Sequence, residues 1–208
     1  MNHNTIYNNQ YTDIGFDRTS LFEFIKEVFH SEKVLYPGSS IHISPSFIFE
    51  HVIYVDKSKA AEDFFMDNQA VKKIIENNRR GNGSRYYEFL SFDYINEGLP
   101  LRDYSFDLLI SLYADNIIDY CRRYVRDKGM IISNNFHDEA LKAVKYDELT
   151  LVGYIHKTKN RYAFYNDEPT RELKHRDEEK IQKLCMKNKN GSIWYEDKET
   201  YYVFQLSR

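Results

Sequence analysis

The chain has 208 residues, 29 Lys and Arg against 32 Asp and Glu, and 42% hydrophobic residues. That length suits one domain with a continuous core, the apolar content excludes a disordered chain, and the formal charge of −3 leaves no electrostatic footprint for nucleic acid or an anionic membrane. Eight glycines and four prolines beside 18 tyrosines and 14 phenylalanines favour regular, well-packed elements over a loop-rich or fibrous chain.

In chain order, residues 1–18 are polar, rich in Asn and Tyr, and without a clear period. Ser20 and Glu23 form a capping-box pattern that opens a helix, whose apolar face would carry Leu21, Phe22, Ile25, Val28 and Phe29. Lys33–Tyr36 reads as a strand stopped by Pro37-Gly38. Ser44-Pro45 reads as an N-cap with Pro at the first helical position, so a short helix is expected over Pro45–Glu50. A second strand follows at His51–Asp56, then one long helix over residues 58–79 that ends at Gly81-Asn82-Gly83. Strand three is Tyr86–Ser91, and strand four is Asp107–Leu112. A helix over roughly 115–127 places Gly129 at its C-cap. Strand five is Met130–Ser133, a helix spans about 137–144, and strand six is Thr150–His156.

Strands alternating with helices predict a parallel sheet covered on both faces. Beyond it, Arg161–Tyr165 reads as a strand, Asp177–Met186 as a charged amphipathic helix, and Tyr201–Leu206 as a closing antiparallel strand. One domain over 1–208 is therefore expected, with 1–18 as a polar N-terminal segment or lid and 157–198 as an insertion or cap before the last strand. The start, MNHNTIYNNQYTDIG, lacks the basic and apolar blocks of a signal peptide. No apolar run approaches the roughly 20 residues needed to cross a bilayer, so the expectation is a soluble, cytoplasmic protein. Cys121 and Cys185 read as buried helical hydrophobes, and the scattered histidines show no metal-ligand spacing, so no metal is expected.

Ligands of open parallel sheets bind beyond the carboxyl ends of the strands, at the point where strand order reverses. The residues just after each strand therefore carry the functional argument. Gly38 permits a tight turn and close backbone approach to a ligand, with Ser39 and Ser40 offering hydroxyls and N–H groups. Asp56 follows Gly38 at about the separation, roughly 20 residues, at which an acid grips ribose hydroxyls in dinucleotide folds. Asp93 can accept from an adenine amino group, while Phe92 or Tyr94 packs against the ring. An adenosine-containing ligand suits all of these positions.

On these residues the chain resembles the class I S-adenosylmethionine-dependent methyltransferases. The likeness runs through Val34-Leu35-Tyr36-Pro37-Gly38-Ser39-Ser40, Val55-Asp56, Ser91-Phe92-Asp93, the run Glu97–Ser111, and Arg122–Ser133, and it covers about residues 20–156. It implies a Rossmann-like three-layer α/β/α sandwich on a mostly parallel, seven-stranded sheet with an antiparallel last strand. It implies S-adenosylmethionine as cofactor, with Gly38 in the cofactor loop, Asp56 on ribose and Asp93 at adenine. The full cofactor set on this reading is Tyr36, Gly38, Ser39, Ser40, Asp56, Lys57, Phe92, Asp93, Tyr94 and Leu112.

The chain also departs from the family. Tyr36 stands where an acid usually ends strand one, and Ser40 and His42 stand at later glycine positions. An Asn or Asp followed by two prolines and an aromatic is absent after strand four, which argues against methylation of adenine bases or glutamine of that kind. Tyr113, Asp115 and His42 lie near the expected mouth and are the candidates for a catalytic base. Each has a plainer reading: His42 as a loop residue, Tyr36 as a filler of the sheet edge, and Asp107 as an acceptor for neighbouring backbone N–H groups. Tyr7, Tyr11 and Phe16 suit either a lid over the cofactor or packing against the outer helices. The expected partner is a small-molecule substrate, with a homodimer left open. A catalytically inactive relative that keeps the fold as a binding or interaction module is the alternative. A nicotinamide enzyme is disfavoured because G-x-G-x-x-G is missing.

Overall fold

The computed structural model describes residues 3–158, 161–173, 186–187, 193–194 and 200–208. The elements are α1 (His3–Tyr7), running into a π-helical turn at Asn8–Thr12, then α2 (Thr19–Phe29), β1 (Lys33–Pro37), α3 (Pro45–Ile48) and β2 (His51–Val55). They continue as α4 (Lys59–Met66), α5 (Asn68–Asn78), β3 (Tyr86–Leu90), β4 (Phe106–Ser111), α6 (Ile117–Cys121) and β5 (Val125–Ser133). The chain then forms α7 (Glu139–Ala143), β6 (Leu149–Thr158), β7 (Arg161–Tyr165), β8 (Met186–Lys187), β9 (Ile193–Trp194) and β10 (Thr200–Leu206).

The main sheet has the order β3-β2-β1-β4-β5-β10-β6-β7. β3, β2, β1, β4 and β5 run parallel, whereas β10 is antiparallel to both neighbours and β7 is antiparallel to β6. The apolar runs of β1 and β2 explain their central place, because a strand buried on both faces needs no polar alternation. Val34, Tyr36, Val52 and Tyr54 point into one core layer, with Leu21, Phe22 and Ile25 of α2 and Val71, Ile74 and Ile75 of α5. Leu35, Ile53, Val55 and Leu109 point into the other, with Ile117, Ile118 and Cys121 of α6 and Ala140 and Ala143 of α7. The architecture is a three-layer α/β/α sandwich, and its strand order reverses between β1 and β4. No helix among the described residues is long and apolar enough to cross a membrane.

Several expectations need correction. The sheet has eight strands, not seven, because Arg161–Tyr165 of the expected insertion pairs with β6 as an edge strand. The expected helix at Asp177–Met186 lies outside the described residues except for Met186, which belongs to β8. The long helix over 58–79 is two helices, since the Asp67 carboxylate accepts the Ala70 N–H at 3.0 Å and starts α5 afresh. The Ser20 capping box does not form. α2 begins at Thr19 behind a left-handed Arg18, and Asp17 Oδ1 accepts the Thr19 N–H. Val28 is exposed rather than part of the apolar face. Ser44 precedes α3 without capping it, because its hydroxyl is engaged elsewhere. The helix over 115–127 stops at Cys121, with a 3-10 turn to Tyr124, and Gly129 lies inside β5. A Cβ on Gly129 would sit 2.5 Å from Val125 Cγ1 and 2.9 Å from the Arg126 carbonyl oxygen, so close packing and not a helix cap demands glycine there.

Candidate functional site

The ends of β1, β2, β3 and β4 gather at the carboxyl edge of the sheet. After β1 the chain turns at Gly38, whose φ is +64° and whose N–H donates to the Val55 carbonyl at 2.7 Å. A Cβ on Gly38 would meet the Ala114 Cβ at 2.3 Å, so this glycine lets the loop after β1 touch the loop after β4 across the point of order reversal. Ser39 is buried behind the turn, and exposed Ser40 donates its N–H to Asp56 Oδ2 at 2.8 Å. Ser58 donates its N–H to Asp56 Oδ1, also at 2.8 Å. Each carboxylate oxygen can accept about two hydrogen bonds, so Asp56 is oriented by backbone and retains capacity on both oxygens. That remaining acceptor capacity fits the two hydroxyl donors of a diol.

Asp93, at the end of β3, is 16% exposed. Its Oδ2 accepts from Lys57 Nζ at 2.9 Å and from Asn96 at 2.8 Å, and its Oδ1 accepts the Ile95 N–H at 3.1 Å. The Lys57 ammonium, then the Asn96 amide and the Ile95 N–H, hold its pKa down to about 2, so it is an acceptor at any ordinary pH. Phe92 and Tyr94 pack on the second core layer. Tyr94 donates its hydroxyl to the Asp115 carbonyl at 2.7 Å, bridging the loop after β3 to the loop after β4, and burial pushes its phenol pKa up.

A second group lies behind the loop after β1. Tyr36 is buried, with its hydroxyl 3.1 Å from His42 Nδ1. His42 is buried too: Nε2 lies 2.9 Å from the Asp17 carbonyl and 2.8 Å from Ser44 Oγ, and Ser44 Oγ also donates to Asp17 O. Tyr11 stacks on the imidazole at 4.7 Å. Burial, assisted by the Arg18 charge, holds His42 neutral with a pKa of about 3. Tyr7 is fully buried and Phe16 nearly so, both packed inward from the N-terminal segment.

The sequence-derived positions thus divide. Gly38, Ser40, Asp56, Lys57 and Asp93 form one arc over β1, β2 and β3, with Tyr94 closing its far end. Ser39 and Leu112 are buried beneath it. Tyr113 turns inward at φ +56°, its ring 6.0 Å from Phe16 and 5.6 Å from Phe136. Asp115 faces outward, 3.7 Å from Lys142 Nζ. Sequence reasoning missed Arg18. It is 5% exposed, and it donates from Nη2 to the Tyr113 hydroxyl at 2.8 Å and from Nε to the Tyr201 hydroxyl at 3.1 Å. No local signal marks it, since an arginine ahead of a helix ordinarily lies in solvent. Glu139 was missed likewise; buried at the start of α7, its Oε2 accepts the Ile118 N–H at 2.9 Å. Among the described residues, no three His, Cys, Asp or Glu side chains gather as a metal site.

No sequence-family model matches the chain, and no curated protein matches it. Solved structures do. A candidate S-adenosyl-L-methionine-dependent methyltransferase from Methanococcus maripaludis superposes with a TM-score of 0.51 at 12% identity, covering 99% of this chain and 92% of that one. The chain has the class I methyltransferase fold. A methyltransferase from Geobacter sulfurreducens scores 0.49 at 10% identity, over 72% of this chain and 81% of that one. A candidate caffeoyl-CoA O-methyltransferase from Staphylococcus aureus scores 0.49 at 11% identity, over 90% and 82%. At these identities the likeness speaks to the class I fold and not to the reaction.

Proposed function

We propose that the chain binds S-adenosylmethionine across the ends of β1, β2 and β3 and transfers its methyl group to a small-molecule acceptor. One observation carries this reading: Asp56 and Asp93 stand on neighbouring strand ends, oriented by backbone N–H groups and retaining acceptor capacity beside the Gly38 turn. Asp56 would hold the ribose hydroxyls, and Asp93 would accept from the adenine amino group. Ser40 and Lys57 would keep the two carboxylates in place from the loop side. The cofactor brings an activated methyl on a sulfonium, so little is asked of the protein beyond alignment.

The acceptor would approach over the end of β4, where the partly buried rings of Tyr113 and Phe136 offer aromatic faces suited to a small planar compound. His42 is a poor base there, being buried, neutral and engaged through both ring nitrogens. Tyr113 and Asp115 are the better candidates for steering an acceptor proton. The Tyr36–His42 pair, standing where the family carries an acid and a glycine, favours the second reading of a binding module that has lost catalysis.

Calorimetric titration with S-adenosylmethionine and S-adenosylhomocysteine tests the cofactor assignment. Binding is expected in wild type, with at least about a tenfold loss in Asp56→Asn, which removes one charge-assisted acceptor and keeps the side-chain shape. Absence of binding at millimolar ligand in folded wild type overturns it.

A further inference from the structure

Between α5 and β3 the chain runs Arg79-Arg80-Gly81-Asn82-Gly83-Ser84-Arg85, an asparagine set between two glycines. Both ends of this loop are tied to the fold. Arg80 donates its N–H to the Phe47 carbonyl at 2.7 Å, and Tyr86 donates to the Glu50 carbonyl at 2.8 Å. Arg85 braces the stretch between, with Nη1 donating to the Gly83 carbonyl at 3.3 Å and Nη2 to the Arg80 carbonyl. The tip is left open. Gly81 turns left-handed at φ +79°, and Asn82 is exposed. Among the described residues, neither the Asn82 carboxamide nor the Gly83 N–H has a hydrogen-bond partner.

That combination is chemically reactive. The backbone nitrogen that follows an asparagine can close a five-membered ring on that residue's own Cγ. Closure requires the main chain to swing, which the hydrogen bonds of a helix or strand oppose and a Cβ on the following residue hinders. Neither obstacle is present at Asn82-Gly83. The contrast within the chain is clear: Asn77 and Asn78 lie inside α5, and Asn134 and Asn135 are buried ahead of Asn and Phe.

We infer that Asn82-Gly83 is a site of spontaneous covalent modification, at which asparagine becomes aspartyl and isoaspartyl with solvent water as co-reactant. The Gly83 nitrogen gives its proton to solvent base and bonds to Cγ of Asn82. The Cγ–Nδ2 bond breaks, and Nδ2 takes up a proton and leaves as ammonia. Water then adds to either carbonyl of the resulting succinimide. Opening between the ring nitrogen and Cγ restores the ordinary main chain with an aspartyl side chain. Opening at the main-chain carbonyl leaves the backbone running through Cγ, longer by a carbon. Nothing is oxidised or reduced. Either product puts a carboxylate between Arg80 and Arg85 in the chain, where a neutral amide stood. The loop precedes β3, whereas Asp93 follows it, so the modification stands apart from the Asp56 and Asp93 arc and does not depend on the S-adenosylmethionine reading.

The test incubates the full chain, held below its thermal transition, in mildly alkaline heavy-oxygen water beside a synthetic peptide of residues 79–86. Peptide mapping by mass spectrometry then reads position 82. Wild type is expected to convert within about tenfold of the peptide's rate, because exposed loops open at almost no free-energy cost. Aspartyl and isoaspartyl forms are both expected, each carrying heavy oxygen, whereas direct hydrolysis of the side chain gives the first alone. Gly83→Ala is expected to slow conversion at least about tenfold, since a Cβ there hinders closure and lies 3.0 Å from both Arg85 Nη1 and Glu50 Oε1. Asn134 and Asn135 are expected to keep their amides in the same digest. Wild type that retains the Asn82 amide overturns the inference, as does an aspartyl product alone or equally fast conversion in Gly83→Ala. Should Gly83→Ala fail to fold, the isoaspartyl product in wild type decides alone.

Discussion

Asp17 offers His42 a carbonyl oxygen, which can only accept, so the imidazole carries its proton on Nε2. Nδ1 is then bare and accepts the Tyr36 phenol proton. A neutral ring held this way resists protonation, and the sign of the pH effect follows. With a pKa of about 3 in the fold against an ordinary 6.5, the unfolded chain takes up the proton first. Stability is therefore full above about pH 6.5 and falls as pH drops toward 3, by up to about 1.4 kcal/mol per pH unit. Urea unfolding of wild type and His42→Gln between pH 6.5 and 4.5 is expected to give a shallower slope in the variant. His51, lowered by burial and by Lys33, contributes to both slopes and cancels in the comparison. Equal slopes would mean that His42 is not buried in neutral form. Tyr36→Phe leaves Nδ1 facing an apolar ring, and a loss of about 1–3 kcal/mol is expected in the same assay.

Among the elements, β5 shows how one glycine can carry two opposite meanings. Gly129 follows a helical pattern and reads as its terminator, yet the left-handed residue there is Lys128, at φ +59°, and Gly129 is buried in the strand. Gly129→Ala would force a methyl against Val125 and the Arg126 carbonyl, and overpacking of this kind costs about 1–3 kcal/mol. Thermal unfolding is expected to show the drop, whereas a variant as stable as wild type would return Gly129 to an ordinary turn role. The strands themselves were legible, because Val34–Leu35, Val52–Val55 and Leu108–Ile110 are apolar runs too short for helices. The breaks were not. Asp67 interrupts one apolar period with a cap that competes against continuation, and Arg18 displaces the Ser20 cap by adopting a left-handed backbone. The same reason divides the site: Asp56 and Asp93 follow from strand ends, which local sequence reveals. Arg18, though it also meets the nearby Phe16 carbonyl, takes its place from partners that include residues 95 and 183 positions away.

At the level of the whole molecule, the last strand in sequence is not at the edge of the sheet. β10 enters between β5 and β6, pairing antiparallel with both, and five of its seven residues lie in the two core layers. Its alternation sends Tyr201 and Val203 to the layer of α2 and α5, and Tyr202, Phe204 and Leu206 to the layer of α6 and α7. Tyr201 also holds Arg18, so the strand joins the N-terminal segment to the centre of the sheet. Removing a peripheral strand would shorten such a sheet; removing β10 would separate β5 from the β6–β7 hairpin and open both cores together. A chain truncated after residue 198 is therefore expected to lose its cooperative thermal transition and its near-ultraviolet aromatic signal, even where some helical signal persists. Adding the missing segment as a synthetic peptide, residues 199–208, is expected to restore the transition in a concentration-dependent way, because strand addition would then be a binding step. A truncated chain that melts cooperatively near the wild-type temperature would show that β5 and β6 find another pairing, and that β10 is an accessory to this fold.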